Sequence, residues 1–145
     1  MTTTQDRLDH LVALLRSKGH RMSPQRVAIL SVLVRSPDHP DAEEVHRRIL
    51  PEFPTASLAT VYKTITLLKK EGEILELGFS DLGSRYDANK PHPHPHLICI
   101  RCGEILDSDS EDVDELVRRL ADAAGYAVTT HRFDLFGLCP KCQSR

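Results

Sequence analysis

The chain has 145 residues, 40% of them hydrophobic and 28% charged, a composition that excludes disordered and fibrous classes and leaves room for one domain or two small ones. No stretch approaches the roughly 20 consecutive apolar residues that span a bilayer, and residues 1–7 are polar with no apolar signal core behind them, so a cytoplasmic protein without a membrane partner is expected. A formal net charge of −2 excludes nucleic-acid binding by overall attraction, so any such binding must use a local face.

Leu8, Leu11, Val12, Leu14 and Leu15 recur at helical spacing up to Lys18-Gly19, which suits a helix end. Ser23-Pro24 opens a second helix, with Ser23 as cap and Pro24 in the first turn, and Val27, Leu30, Leu33 and Val34 supply its buried face. After the proline-punctuated turn Ser36-Pro37-Asp38-His39-Pro40, Asp41-Ala42-Glu43-Glu44 has capping-box spacing and starts a short helix through Arg48. A fourth helix is predicted over 57–70, with Leu58, Val61, Ile65 and Leu68 on one face and Gly72 as its stop. Residues 74–79 alternate apolar and polar, Asp81-Leu82-Gly83-Ser84 reads as a turn, and Arg85-Tyr86-Asp87 returns, so a β-hairpin follows the helices. Helices followed by a hairpin make a winged helix-turn-helix.

The stretch 88–95 is interrupted by prolines and cannot continue a helix or a central strand, which marks a hinge. Beyond it, 97–100 and 104–107 read as a strand pair turning at Cys102-Gly103. Val113, Leu116, Val117 and Leu120 mark an amphipathic helix, and a strand is predicted over 126–136. The fold class expected is α+β, with a winged-helix domain at 1–87, a hinge at 88–96 and a small α/β dimerisation domain with a four-cysteine zinc site at 97–145.

The four cysteines form two C-x-x-C pairs, Cys99/Cys102 and Cys139/Cys142. In a reducing compartment these read as a closed tetrahedral zinc site that holds structure, in preference to redox dithiols or chance buried thiols. His92, His94 and His96 alternate just before the first pair. An extended chain would point them to one side, where Asp107 on the neighbouring strand could join them; the competing reading is a solvated proline-rich linker. Such nitrogen and oxygen donors suit ferrous iron, manganese or zinc, and the choice stays open. By itself His39 reads as an ordinary surface or satisfied histidine.

Taken together, Arg21-Met22-Ser23-Pro24-Gln25-Arg26, Ala59-Thr60-Val61-Tyr62-Lys63, Ser84-Arg85-Tyr86-Asp87 and the run from His94 to Gly103 resemble the ferric uptake regulator (Fur) family over nearly the whole chain. The resemblance implies a homodimeric repressor that binds palindromic double-stranded operators. It implies structural Zn2+ at Cys99, Cys102, Cys139 and Cys142, and regulatory Fe2+ or Mn2+ at His39, Asp87, His94, His96 and Asp107. Aspartate at 87 and 107 is most like the peroxide-sensing branch, in which Fe2+ and hydrogen peroxide oxidise a coordinating histidine, here His39 or His94. Two features depart from that branch: the spacing from Asp87 to His94 is one residue longer, and prolines separate the histidines. A third family site would use Asp114 and His131, but its partner acid is replaced by Pro95, so a weak or absent site is expected.

The predicted helix over 57–70 is the expected major-groove reader, with Ser57, Thr60, Tyr62 and Lys63 towards DNA and Arg21 near the neighbouring backbone or minor groove; a plain solvated face is the alternative for each. Three rivals remain at this point. One is an iron- or zinc-responsive repressor without peroxide chemistry. Another is a redox switch through the C-x-x-C pairs. The third is a zinc enzyme using His94, His96 and Asp107, which lacks a general base placed as in a helical H-E-x-x-H.

Overall fold

The computed structural model describes residues 3–79 and 83–144. It divides into two compact units, Met1–Pro91 and His92–Arg145. Asp81 and Leu82 of the expected hairpin turn lie outside the described residues.

The first unit begins with four helices, α1 (Thr4–Ser17), α2 (Pro24–Arg35), α3 (Ala42–Ile49) and α4 (Leu58–Lys70). Each starts where a short polar side chain accepts an otherwise unsatisfied backbone N–H: Thr3 from Asp6, Ser23 from Arg26, Asp41 from Glu44 and Ser57 from Thr60. The helical apolar stripes meet in one core. Leu8, Leu11 and Leu15 of α1 join Ile29, Leu30 and Leu33 of α2, Val45 and Ile49 of α3, and Val61, Ile65 and Leu68 of α4, all buried. An antiparallel hairpin, β1 (Leu75–Phe79) and β2 (Gly83–Asp87), follows with Leu75 opposite Asp87 and Leu77 opposite Arg85. Four helices and a terminal hairpin are the winged helix-turn-helix expected from the sequence. Because Ser57 both starts α4 and satisfies the Thr60 N–H at 3.2 Å, Ser57→Ala should lower unfolding free energy by about 1 kcal/mol, read from the urea midpoint at unchanged slope.

The second unit contains β3 (His96–Cys99), β4 (Ile105–Asp107), α5 (Glu111–Ala124), β5 (Asp134–Gly137) and α6 (Pro140–Gln143). Its sheet has the order β4-β3-β5, antiparallel between β3 and β4 and parallel between β3 and β5. The strand expected over 126–136 is shorter than that. Residues 126–133 carry the β-branched Val128, Thr129 and Thr130, but the ladder with β3 pairs only Asp134–Gly137, preceded by one bond from the His96 N–H to the Phe133 carbonyl.

The apolar interior of this unit is small. Among its described residues the buried hydrophobic side chains are Ile98, Cys99, Ile105 and Cys142, too few to hold a chain of this length folded without a metal or a partner. Helix α5 buries none of its residues. Leu106, Leu97 and Leu135 face each other in register across the three strands and remain 61%, 40% and 49% exposed.

Candidate metal centres

The four cysteines converge in the second unit. Cys99 ends β3, and the chain reverses at once: Gly103 N–H donates to the Cys99 carbonyl at 3.0 Å, and Cys99 N–H to the Glu104 carbonyl at 2.9 Å. The reversal needs a left-handed residue, supplied by Gly103 at φ +78°. Cys139 caps the short helix α6, which carries Cys142. Arg101 donates to the Cys142 carbonyl at 2.8 Å and ties the two knuckles together.

All four Sγ atoms lie within 4.8 Å of one another, and Cys102 and Cys139 are 3.8 Å apart, far beyond a disulfide bond. Sulfurs about 2.3 Å from a shared zinc at tetrahedral corners would be about 3.8 Å apart, so the donor set and spacing fit that ion. The thiol chemistry agrees. Backbone N–H groups of Cys102 and Cys139 aimed at the Cys99 sulfur pull its pKa down to about 6. The Cys139 sulfur and burial push Cys142 up to about 12. Four clustered thiols cannot all ionise unless a cation takes up the charge.

A second group of ligands sits at the start of the same sheet. Register places His96 directly opposite Asp107. The Asp107 Oδ1 lies 3.1 Å from His94 Nε2 and 3.3 Å from His96 Nε2. The imidazoles stack at a tilt with centroids 4.4 Å apart, and both are buried. The prolines do not prevent this: the Pro95 carbonyl accepts the Ser108 N–H at 2.9 Å, so the extended run is held against the end of β4. His92, expected on the same side, is exposed; its carbonyl lies 2.9 Å from His94 Nδ1, and its ring meets that of His94 edge-on with centroids 5.8 Å apart. Two imidazoles and a carboxylate presented together suit a divalent first-row cation.

In the first unit His39 and Asp87 come together, with His39 Nε2 and Asp87 Oδ2 3.8 Å apart. His39 has φ +53°, the one non-glycine residue in the left-handed region among those described, a conformation that costs about 1 kcal/mol. It is held there from β2. Arg85 donates to the carbonyls of Asp38 and His39, and Tyr86 N–H donates to that of Pro40. The other oxygen of Asp87, Oδ1, accepts the N–H groups of Asn89 and Lys90, so Oδ2 is the one turned to His39. Asp114 and His131 line one groove with His92, but among the described residues they do not draw together into a three-ligand cluster.

On α4 the exposed stripe runs through Ala59, Tyr62, Lys63, Thr66 and Lys70, consistent with a groove-facing helix side. Tyr62 and Lys63 are among the residues expected from sequence, and Thr66 and Lys70 extend the same face. Ser57 and Thr60 spend their side chains on the helix start, their hydroxyls 3.0 Å apart. Arg21 is exposed, and its carbonyl accepts from Arg26.

Residues 17–136 match the sequence pattern of the Ferric uptake regulator family. The chain belongs to this family. It is similar to the peroxide-responsive repressor PerR of Staphylococcus aureus (strain USA300), 38% identical over 138 residues that cover 95% of this chain and 93% of the relative. Among solved structures it is similar to the Helicobacter pylori ferric uptake regulator Fur, described as having three functional metal binding sites. The TM-score is 0.83 at 28% identity, covering 97% of this chain and 94% of that one. It is also similar to a zinc uptake regulator complexed with zinc and DNA, with a TM-score of 0.68 at 25% identity over 99% and 97% of the two chains. As a Fur-family member the chain is a metal-dependent, DNA-binding transcriptional repressor and not an enzyme, which sets aside the zinc-enzyme reading of His94, His96 and Asp107. Among the described residues no helix is long and apolar enough to cross a membrane.

Proposed function

We propose that this Fur-family repressor senses hydrogen peroxide through a regulatory Fe2+ held by His39, Asp87, His94, His96 and Asp107, with Zn2+ in the four-cysteine cluster as the structural ion. The observation that carries the regulatory site is the pair of buried Nε2 atoms facing a single Asp107 oxygen. The peroxide assignment is supported by the likeness to PerR and by aspartate at 87 and 107.

In this reading each unit supplies part of the ligand set. His39 and Asp87 come from the DNA-binding unit, whose domain we place at 1–87. His94 comes from the hinge we place at 88–96, His96 from the last position of that hinge, where β3 begins, and Asp107 from the dimerisation domain we place at 97–145. Shared ligation links metal occupancy to the angle between the reading helices, and therefore to operator affinity. The partner is a palindromic double-stranded operator, met by α4 through Tyr62, Lys63 and its first turn, with Arg21 on the neighbouring backbone. Dimerisation is supported by the uncovered Leu106, Leu97 and Leu135 stripe and by α5, which buries nothing within one chain.

Bound Fe2+ would supply the reduction of peroxide; overall, one peroxide oxygen goes to a ring carbon of His39 or His94 and the other leaves as water. The oxidised ring no longer presents the same lone pair, so the ligand set is broken and the operator is released.

The experiment is intact-protein mass spectrometry with peptide mapping on zinc-containing protein loaded with Fe2+ or Mn2+ and exposed to a small excess of peroxide. One added oxygen on the His39 or His94 peptide, with iron only, is expected. Unmodified histidines alongside intact metal-dependent operator binding would move the protein to the plain metal sensors of its family.

A further inference from the structure

We infer that Asp134 is the positioning residue for His96, fixing which ring nitrogen the imidazole offers to a metal. This rests on the reading of His94, His96 and Asp107 as a metal site. It extends that site by one carboxylate that contacts no metal.

His96 sits on the central strand, and its register partners are Asp107 on β4 and Asp134 on β5. Residues paired in register present their side chains on the same face of a sheet, so the ring stands between two carboxylates. Its Nε2 faces Asp107 Oδ1 at 3.3 Å and its Nδ1 faces Asp134 Oδ1 at 3.6 Å. The Asp134 oxygens divide their work. Oδ2 accepts from the Arg132 guanidinium, and Oδ1 is the one turned to the imidazole. His96 is 1% exposed and the Asp134 side chain 11%, so water competes little for either.

A neutral imidazole carries one proton on two nitrogens; Asp107 at Nε2 and Asp134 at Nδ1 compete for it, and a cation on the Asp107 side, which must take the Nε2 lone pair, leaves the proton to Asp134. The lone pair is then left on Nε2, towards Asp107. His94 reaches the same state by a different route, since its Nδ1 meets the His92 carbonyl at 2.9 Å. The two rings are thus set with Nε2 inward, one by backbone and one by Asp134. Partners of this kind behind a ligating histidine change metal affinity by about 10- to 100-fold when removed.

The test uses the full-length zinc protein and two variants, Asp134→Ala and Asp134→Asn, with Mn2+ as the probe. Nitrogen NMR of the histidine rings, without added Mn2+, should show a larger share of His96 protonated on Nδ1 in the wild type than in Asp134→Ala, where Asp107 faces the ring alone. Mn2+ affinity, followed by the electron spin resonance of the free ion, should fall by about 10-fold or more in the alanine variant and by less in asparagine, which keeps one acceptor oxygen. Zinc content should stay at the wild-type level in both, and should Asp134→Ala fold poorly, the asparagine variant carries the comparison. An unchanged tautomer with Mn2+ affinity within two-fold of wild type overturns the proposal. A wild-type chain whose Mn2+ binding is indifferent to His96→Ala overturns the site reading instead, and the ring-nitrogen signature then decides Asp134 by itself.

Discussion

A chain carrying Cys142→Ser is expected to purify without tightly held zinc and to lose the cooperative unfolding of residues 92–145, while the first unit keeps its own transition. The reason is the imbalance between the two interiors. The first unit closes over aliphatic side chains from all four helices. In the second, Ile98 and Ile105 are joined in the interior mainly by the sulfurs of Cys99 and Cys142. A structural zinc contributes roughly 10–16 kcal/mol of apparent binding energy, which in so small a unit is folding energy. Removing one thiolate removes a ligand from a closed site and loosens the tie from Arg101 to the Cys142 backbone.

The cluster also predicts a direction with pH. At neutral pH without the ion, Cys99, lowered to about 6, is ionised, while Cys142, raised to about 12, holds its proton. Zinc must displace that proton, so its affinity rises with pH. It weakens further as acid protonates Cys99 as well, below about 6. Metal analysis after dialysis, and thermal unfolding with and without a chelator, measure both effects. A Cys142→Ser chain that retains one zinc and unfolds as wild type does would show that the cluster is not what holds this unit.

Much of this was legible in the residues because it is locally encoded. Ser23-Pro24 and Asp41 announce helix starts by satisfying N–H groups a few residues ahead, and the C-x-x-C spacing carries its own geometry. What was not legible depends on pairing between distant segments. Residues 126–133 carry the β-branched run of a strand, but a strand forms only where a neighbour offers its backbone, and the ladder to β3 pairs only Asp134–Gly137. For the same reason Asp134 carries no local signal: nothing near it in sequence shows that a parallel register brings it to His96. His39 gave no periodic signal either. Its place came from family resemblance, and the structure adds a physical mark, a left-handed backbone held by Arg85 and Tyr86 from the adjacent strand.

Replacing Asp107 should do to the regulatory site what the serine substitution does to the zinc cluster, without unfolding anything. Asp107 lies at the end of β4, half-buried, with one oxygen facing two imidazole nitrogens. Taking it away removes the negative charge that balances a divalent cation and leaves the two rings unchanged. Asp107→Ala is therefore expected to weaken Mn2+ binding by about 100-fold or more, as loss of a ligand should exceed the 10- to 100-fold typical of a supporting group. Operator affinity at a Mn2+ concentration that saturates the wild type should fall towards the level of the chain without added Mn2+, a loss of about 5- to 150-fold if the coupling has its usual size. Asp107→Asn sharpens the test because it keeps the shape and a carbonyl oxygen while losing the charge. If charge balance dominates, the asparagine chain behaves like the alanine one; if geometry dominates, it stays near wild type. Binding to a palindrome selected by the wild-type protein from random DNA, measured with and without Mn2+, reads out both. Unchanged metal dependence in Asp107→Ala, with zinc still in place, would remove Asp107 from the switch and with it the regulatory site proposed for this chain.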